Sequence, residues 1–523
     1  MQLSNNEITE LWGGWSSIML AKRLKVLDLT CCKYLSRTPN LSAFTKLEIL
    51  ILKHCDKLEQ VDPSIGEVKS LIFLDLSDCG SLKELPGEVG ELVKLKELIL
   101  DSTGIIEIPT SIGSLRKLEK LSARGCRSLI EVPSEIGDLS SLKILEISSA
   151  PLSDLPGSIS RLSSLQHLKL QDCHKLQWLP ELPSGLTYLM VSHHCPRLPQ
   201  DFCLIPQEEL GLEGCDLLEY IPELPSLSLK LCVVSCHKLI LPMLNIFEHL
   251  EELSIESCSS IERLDLSQLN RLKRLRAKYC YNLVEIQGHD HLEFLEEIVI
   301  YHCRSINRLI LPELQCLKQL KANSCNNLIE IQGLERAKFL EALHISDCRS
   351  IVKLPELSCF ATLKELNIND CGNLLGVETL ERFLSCRSMY ITGCKSLEKL
   401  PNLSKFKNLE KFTMRYSLGV TEIPGIEESR SLTYIDITGC DSMETLPDLS
   451  GCHKLLYLVV RDCKKLTQIR GLEKLDLIYL DISGCDSLEI PQLPGTSVFR
   501  QCEGCQYELF YEKIILCEMI MLR

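Results

Sequence analysis

Aromatic residues and long apolar runs are both scarce in this chain of 523 residues. Phenylalanine, tryptophan and tyrosine make up only 5% of the sequence, with three tryptophans. The hydrophobic content of 45% is therefore mostly aliphatic, which indicates a core of stacked leucines and isoleucines. No apolar run approaches the length of a membrane span, and the first residues lack the basic and apolar regions of a signal peptide. The sequence thus predicts no membrane segment and a cytoplasmic or nucleocytoplasmic location.

The short motifs of several enzyme classes are missing as well. There is no Gly-x-x-x-x-Gly-Lys-[Ser/Thr] phosphate loop, no Gly-x-Ser-x-Gly elbow and no His-Glu-x-x-His zinc motif. Cys502 and Cys505 have the spacing of metal ligands, but a zinc site needs four ligands and no second pair or histidine follows them. We therefore expect a protein that is not an enzyme, with no catalytic residue, no bound metal and no cofactor.

Charge argues against nucleic acid as a partner. The net charge of −14 at pH 7 repels nucleic acid and anionic membrane surfaces. The basic run from Arg271 to Lys278 is divided by the repeat described below, because Leu272 and Leu275 are core positions while Arg276 and Lys278 face solvent. We expect a protein partner, with no nucleic acid and no membrane.

A repeat of about 23 residues organises the chain from near residue 24 to near residue 491. Its pattern is Leu-x-x-Leu-x-Leu-x-x-Cys-x-x-Leu-x-x-Leu-Pro, as in the segments that begin at Leu71 and at Leu432. This is the leucine-rich-repeat signature, in which each turn carries a strand on one edge. The predicted fold is an α/β solenoid of about 21–22 repeats: a horseshoe with a parallel concave β-sheet and a convex side of irregular, 3₁₀ or short helical segments.

Most of the 28 cysteines occupy the ninth position of this repeat. Thr103, Ala150 and Ser417 fill the same position in other turns, so the position requires a small side chain and not a disulfide partner. We predict a column of buried, reduced thiols, which is typical of a reducing compartment. The column comprises Cys32, Cys55, Cys79, Cys126, Cys173, Cys195, Cys215, Cys236, Cys258, Cys280, Cys303, Cys325, Cys348, Cys371, Cys394, Cys440, Cys463 and Cys485.

Changes in the repeat register predict five regions. Residues 1–23 form an incomplete first repeat and entry segment, and residues 24–185 form a first regular array. Residues 186–249 are rich in proline and irregular, which favours a bend or seam. Residues 250–494 form a second array, and residues 495–523 an apolar tail that could cover the end of the stack. Because neither end shows a clear polar cap, we expect the chain to be part of something longer or a truncated product.

The concave face offers candidate binding residues. If the leucines at the fourth and sixth positions point inward, the fifth, seventh and eighth positions face solvent. Early turns are small or acidic there, whereas later turns become aromatic and basic. Tyrosine and arginine are enriched among interface hot spots, so these residues predict a protein-binding patch that favours an acidic partner surface, and the alternative is that they are merely solvated. The candidates are Arg276, Lys278, Tyr279, Tyr301, His302, Lys321, Asn323, His344, Tyr390, Arg415, Tyr416 and Arg461.

The repeat resembles the leucine-rich-repeat region of plant intracellular disease resistance proteins of the TIR-NBS-LRR class. The resemblance lies in cysteine at the ninth position, in Leu-Pro at the end of the second apolar run, and in the stretch from Leu24 to Ser42 with Glu10-Leu-Trp12 upstream. It covers about residues 3–495. Secreted plant receptors instead favour asparagine at the ninth position and a Gly-x-Ile-Pro motif.

The resemblance implies recognition of a pathogen effector, or of a host protein that an effector modifies, and control of a nucleotide switch in defence signalling. This chain departs from the family pattern because the TIR and nucleotide-binding domains are not in its sequence. If it is a fragment, those domains are also partners. The alternative is a free-standing leucine-rich-repeat scaffold, adaptor or regulator of a signalling protein.

Overall fold

This computed structural model describes residues 1–192, 209–215, 229–240, 249–288, 292–310, 314–334, 337–354, 362–377 and 385–489. They belong to two compact units, residues 1–295 and 296–523, which are described separately. Cys195, Cys502, Cys505 and the predicted tail 495–523 lie outside the described residues, as does most of the proline-rich segment. The five predicted regional boundaries stay predictions.

The first unit contains a row of parallel strands, each paired in register with the strand one turn away. Two short strands, Arg263–Asp265 and Glu285–Gln287, pair with each other away from this row. The strands of the row are Val26–Asp28, Ile49–Ile51, Phe73–Asp75, Glu97–Ile99, Lys120–Ser122, Ile144–Glu146, His167–Leu170, Tyr188–Ser192, Glu209–Glu213, Lys230–Val234, Glu252–Glu256 and Arg274–Lys278.

The second unit has the same architecture. Two short pairs lie apart from its main row of parallel strands: Arg308–Ile310 with Glu330–Gln332, and Thr445–Leu446 with Gln468–Ile469. The strands of the main row are Glu297–Tyr301, Gln319–Asn323, Ala342–Ser346, Glu365–Asn369, Ser388–Thr392, Lys411–Arg415, Tyr434–Thr438, Tyr457–Arg461 and Tyr479–Asp481. The predicted parallel-strand solenoid is confirmed.

Several convex segments of the described residues are short helices. An α-helix spans Trp15–Ile18, and its Trp15 and Ile18 are buried. Among the described residues, the 3₁₀ helices are Pro63–Glu67, Gly87–Glu91, Thr110–Ser114, Ser134–Asp138 and Gly157–Arg161 in the first unit, and Leu403–Lys405, Ile426–Glu428, Leu449–Gly451 and Leu472–Lys474 in the second. These segments adopt the 3₁₀ conformation, which is one of the three forms predicted for the convex side.

A glycine lets neighbouring convex segments pack closely. A Cβ at Gly90 would lie 2.4 Å from the carbonyl oxygen of Ser111 in the next turn, and a Cβ at Gly137 would lie 2.3 Å from that of Ser158. Carbon cannot approach backbone oxygen so closely without movement of one turn. Gly90 and Gly137, each the fourth residue of its 3₁₀ helix, are thus required by the spacing between turns.

The core follows the repeat. Leu74 and Leu76, the fourth and sixth positions of one turn, are fully buried, as is Cys79 at the ninth. The thiol of Cys79 donates to the carbonyl oxygen of Leu52 in the preceding turn (3.1 Å), and Cys173 donates to Ile147 in the same way (3.1 Å). The column cysteines in the described residues carry free thiols. A small side chain with one weak donor therefore fits this position, where Thr103 donates to a carbonyl of its own turn.

Candidate functional site

The exposed side of each strand row is the candidate site. We call it the strand face and define it by the third, fifth and seventh positions of the repeat. In the strand Arg274–Lys278, Leu275 and Ala277 are buried, Arg274 is exposed, and Arg276 and Lys278 are half-buried. Strand alternation produces this pattern. The third position therefore belongs to the face, and the sequence-based choice of the fifth, seventh and eighth positions omitted it.

The eighth position lies in the turn that follows the strand. Its residue has a left-handed backbone in turn after turn, including Tyr279, His302 and Tyr416 at φ of 53°, 53° and 52°. Aspartate, serine or glycine occupies this position in most other turns, and small polar residues or glycine tolerate the conformation better than a bulky aromatic. These three side chains accordingly stand at the exit edge of the strand face and not at its centre.

In the first unit, one of the two predicted basic residues, Lys278, lies beside an acidic one. Arg276 is in register with Ser254, and Lys278 is in register with Glu256. On the same two strands, Arg274 forms an ion pair with Glu252, with 2.6 Å between the guanidinium nitrogen and the carboxylate oxygen. Tyr279 is also placed here, its ring 6.5 Å from that of Tyr281. The surface around Arg276 and Lys278 thus carries both signs of charge.

In the second unit, Tyr301, Lys321, Asn323 and His344 come from three successive strands. Tyr301 is in register with Asn323, and Lys321 with His344. The rings of Tyr301 and His302 pack edge to face, with centroids 4.4 Å apart. Ser324 donates a hydrogen bond of 2.8 Å to the side-chain oxygen of Asn323. The structure therefore brings this predicted group together on one polar surface.

His344 has an acidic neighbour that sequence reasoning missed. Its Nε2 lies 3.4 Å from Oε1 of Glu365 on the next strand. The interaction with His344 lowers the pKa of Glu365, and Lys321 adds to this effect, although partial burial acts in the opposite direction. The charge of Glu365 thus offsets part of the positive potential expected around Lys321 and His344.

Arg415 and Arg461 form ion pairs with buried aspartates. Arg415 Nε donates to Asp436 Oδ2 at 3.0 Å, and Asp436 is 1% exposed. Arg461 Nε donates to Asp481 Oδ2 at 2.5 Å, and Asp481 is 6% exposed. Burial acts to raise the pKa of Asp481, but the contacts with Arg461 and Ser483 outweigh it and hold that pKa below its usual value. Both arginines are therefore fixed within the fold before any partner arrives.

Tyr390 and Tyr416 complete the predicted set. Tyr390 is half-buried at the fifth position, in register with Asn367 on one side and Thr413 on the other. Tyr416 is 47% exposed. A Cβ at Gly439 would lie 2.4 Å from the Tyr416 ring, so the ring lies directly over that glycine.

Ion pairs in the first unit show how the acidic partners of the predicted basic residues could have been found from the sequence. Arg124 donates from Nε (2.9 Å) and Nη2 (2.7 Å) to Asp101 Oδ2, while Lys169 Nζ lies 2.5 Å from Glu146 Oε1. Burial opposes ionisation of Glu146, yet Lys169 lowers its pKa. In each pair, the acid and base occupy strand-face positions of adjacent turns. Opposite charges one repeat apart are visible in the sequence when the columns are compared pairwise.

The chemistry of the described residues is that of a surface. They contain no group of three or more histidine, cysteine, aspartate or glutamate side chains able to hold a metal ion. Burial raises the pKa of the column thiols Cys173 and Cys440 to about 11, so these thiols are uncharged at neutral pH. Among the described residues, no helix has the length and apolar character to cross a bilayer. The predicted absence of enzymatic activity, metal and cofactor stays a prediction.

Comparison with known proteins finds leucine-rich repeats. Residues 25–131 match a family model described as a leucine-rich repeat region. Similar solved structures include a leucine-rich-repeat protein of Leptospira interrogans (18% identity, covering 80% of this chain and 90% of that one, TM-score 0.36). Another is the plant peptide hormone receptor RGFR1 in complex with RGF2 (19% identity, 88% and 91%, TM-score 0.30). A third is the functional domain of InlJ from Listeria monocytogenes, described as including a cysteine ladder (16% identity, covering 76% of this chain and 70% of that one, TM-score 0.28).

Likeness at this level does not extend to what a protein binds, and the plant intracellular class is not established by it. The described strands of both units nevertheless repeat the turn that the family model matches. The chain therefore contains a leucine-rich repeat region, matched by sequence at residues 25–131 and continued by the same strand and core pattern in the rest of the described residues.

Proposed function

We propose that this chain is the protein-recognition module of a plant innate immune receptor. It binds a pathogen effector, or a host protein that an effector modifies, through the strand face and thereby regulates defence signalling. One observation supports recognition above all. The fourth, sixth and ninth positions keep a nearly constant buried core, while the strand-face positions change from turn to turn, as at Glu146, Arg276 and Tyr390. A fixed scaffold with a variable face suits binding of another macromolecule.

The plant receptor class is supported by the sequence pattern. Cysteine at the ninth position and Leu-Pro at the end of the second run are the features of that resemblance. The recognition residues in this proposal are those predicted from sequence, with Arg276, Lys278 and Tyr279 on the first unit and the remaining nine on the second. Within the second unit, Lys321, Asn323, His344 and Tyr390 are polar groups on three strands of one row, with the strand Glu365–Asn369 between the last two of these strands. Such an arrangement can contact a protein surface at several points.

Charge reversal tests the contribution of the first unit. We expect the double variant Arg276→Glu and Lys278→Glu to lose a partner that requires this surface, because mismatched charges across an interface oppose association. Glu256 is in register with position 278, so the variant is also expected to lose about 0.2–1 kcal/mol of stability from like charges on adjacent strands.

The measurement is quantitative mass spectrometry of proteins that co-purify with the tagged full chain from plant cells. Lys94→Glu with Lys117→Glu is the control, since both lysines are exposed and lie outside the strands. Equal recovery of every protein by wild type and by the Arg276 and Lys278 variant would remove these two residues from the proposal.

A free-standing scaffold or adaptor is the alternative function, and it would use the same face. Sequencing the native transcript upstream of Met1 separates the two. An open reading frame that encodes a P-loop switch and a TIR-like domain supports the receptor. Stop codons directly upstream of a genuine start at Met1 support the free-standing protein and contradict the receptor.

A further inference from the structure

The residue just before each strand changes chemistry near the end of the described chain. In earlier turns this position is often charged and paired across turns. Glu119, for example, lies 2.8 Å from Lys96 and 2.7 Å from Lys143. In the last two described turns the position holds Leu456 and Ile478, which are 36% and 57% exposed. A salt-bridged edge thus gives way to an aliphatic one.

The adjacent column changes in the same turns. The first residue of each strand, the third position of the repeat, is Tyr434, Tyr457 and Tyr479 in three successive strands. These tyrosines are in register with one another, and the rings of Tyr434 and Tyr457 are 6.3 Å apart. Tyr457 is 39% exposed. Tyr434 and Tyr479 are half-buried. The three tyrosines and two aliphatic residues therefore form one continuous strip that is partly exposed, with about 4.8 Å between neighbouring strands.

Buried carboxylates hold two of the three tyrosines, Tyr434 and Tyr479, in place. The hydroxyl of Tyr434 donates to Asp436 Oδ2 at 3.1 Å, the same oxygen that accepts from Arg415, while Thr438 donates to Oδ1 at 2.7 Å. The fifth position of the repeat, at the centre of the strand face, is accordingly buried in these turns: Thr413 is 6% exposed and Asp436 is 1% exposed.

The same arrangement recurs two turns later. Tyr479 donates to Asp481 Oδ2 at 3.1 Å, Arg461 donates to that oxygen as well, and Ser483 donates to Oδ1 at 2.7 Å. Arg461 also donates to the hydroxyl of Tyr479 at 3.3 Å. Each carboxylate thus fixes one arginine and one tyrosine at once.

This arrangement favours association in two ways. Side chains that are already fixed lose little conformational entropy on binding, and tyrosine and arginine are the side chains most often found at hot spots. Because Asp436 and Asp481 compensate the two guanidinium charges, the surface attracts neither strongly acidic nor strongly basic partners. The complementary occupant is an uncharged segment with apolar side chains.

We propose that Tyr434, Tyr457 and Tyr479, with Leu456 and Ile478, form a preorganised docking strip for an uncharged, apolar segment of a partner protein. Arg415 and Arg461 are positioning residues, which act through the aspartates and tyrosines. The proposal rests on the proposed function, recognition through the strand face, and assigns the chemistry of one part of the partner. It also replaces the expectation of an acidic partner at Arg415 and Arg461.

Selection of a displayed library of random short peptides on the full chain tests the strip. The expected peptides are rich in neutral apolar residues, and their affinity changes less than about twofold between low and high salt because compensated charges contribute little. Tyr457→Ala and Ile478→Ser each weaken binding at least tenfold, as expected for hot-spot residues. Tyr34→Ala is the matched control, since Tyr34 is 48% exposed and lies in the first unit.

Three outcomes overturn the proposal: enrichment of acidic peptides, no enrichment, or equal binding by wild type and Tyr457→Ala. If the strip fails while charge reversal at Arg276 and Lys278 still removes a co-purified partner, the proposed function stands and this inference falls. If neither the strip variants nor the charge-reversal variant loses binding, both the docking strip and the proposed function are contradicted.

Hydroxyl-radical labelling of the free full chain tests whether the strip is open. Labelling of Tyr457 at a rate similar to that of Tyr34 is expected, and labelling of Ile478 at a rate similar to that of Ile130, an isoleucine that is 54% exposed. Protection that is independent of protein concentration assigns the strip to residues 490–523 of the same chain, and protection that rises with concentration assigns it to a second copy. Either form of protection overturns the proposal of a partner.

Discussion

The column of buried thiols makes the folded state sensitive to alkaline pH. Burial raises the pKa of Cys173, Cys394 and Cys440 to about 11 each, because a thiolate in the core loses its hydration. In the unfolded chain, a cysteine thiol ionises with a pKa of about 8.5. A pKa that is raised by folding contributes stability that is complete below the unfolded value and is lost as pH rises towards the folded value. The sensitive range is therefore from about pH 8.5 to about pH 11.

The size of the effect follows from these pKa values. At pH 10, a thiol with an unfolded pKa of about 8.5 and a folded pKa of about 11 removes about 2 kcal/mol from the free energy of unfolding. Three such thiols remove roughly 6 kcal/mol, which is comparable with the total stability of many proteins. Burial also raises the pKa of Tyr188 to about 12, which acts in the same direction at higher pH. We expect the free energy of unfolding to fall by several kcal/mol between pH 7.5 and pH 10.

Urea unfolding, followed by circular dichroism in reducing buffer between pH 7.5 and about pH 10, measures this dependence. Cys173→Ala should flatten the slope by up to about 1.4 kcal/mol per pH unit, the effect of one proton. Cys316→Ala is the control, because Cys316 is a half-exposed thiol outside the column. A free energy of unfolding that is the same at pH 7.5 and pH 10 would refute the reasoning.

Three further predictions concern single contacts. Gly90→Ala should lower the free energy of unfolding by about 1–3 kcal/mol, because the new Cβ meets the backbone of Ser111. Gly87→Ala in the same 3₁₀ helix meets nothing within 4 Å and should be neutral or stabilising. Equal urea midpoints for the two variants would contradict the close-approach argument. Asp436→Ala should lower the free energy of unfolding by about 2–3 kcal/mol, somewhat less than is typical of a broken buried ion pair, because the Arg415 side chain can still reach water. The exposed control Glu444→Ala should change it by less than about 0.5 kcal/mol. An Asp436 variant as stable as the Glu444 variant would contradict this prediction. Burial acts to raise the pKa of Asp101, but the contacts with Ser122 and Arg124 outweigh it and lower that pKa overall. The stability that Asp101 contributes is therefore present above the unfolded pKa of about 3.9 and is lost as pH falls through the folded pKa. Asp101→Asn should weaken the acid dependence of the melting temperature, and an unchanged dependence would contradict the assignment.

The elements set by the repeat were predictable from sequence. Leucines with period two at Leu74 and Leu76 predict a strand with one buried face, and both are fully buried. Cysteine at a position that also accepts Ala150 and Ser417 predicts a small buried side chain, which the structure confirms. These features depend on local periods and side-chain volume, so one turn of the chain is enough to predict them.

The details of the candidate site depend on contacts between turns, which the pattern of a single turn does not predict. Arg415 and Arg461 are of the residue type that is common at interface hot spots, yet each forms an ion pair with a carboxylate from the next turn. Whether an arginine points to solvent or to a neighbouring aspartate depends on side-chain rotamers, which no single turn specifies. The tyrosines at the third position were omitted because the solvent-facing positions were assigned only after the first inward leucine, although strand alternation extends to Tyr434 and Tyr457 as well.

Binding through the strand face is the central claim, and one measurement tests it most directly. Proteins that co-purify with the full chain from plant cells are quantified for wild type, for a strand-face variant and for a control variant, and the melting temperature of each variant is measured alongside. The strand-face variant combines Lys321→Ala, Tyr390→Ala and Tyr457→Ala, and the control combines Lys94→Ala, Lys117→Ala and Arg430→Ala, three exposed residues outside the strands. We predict at least one protein that wild type and the control retain and the strand-face variant loses. Identical recovery by all three, or loss only with the control, would contradict the account.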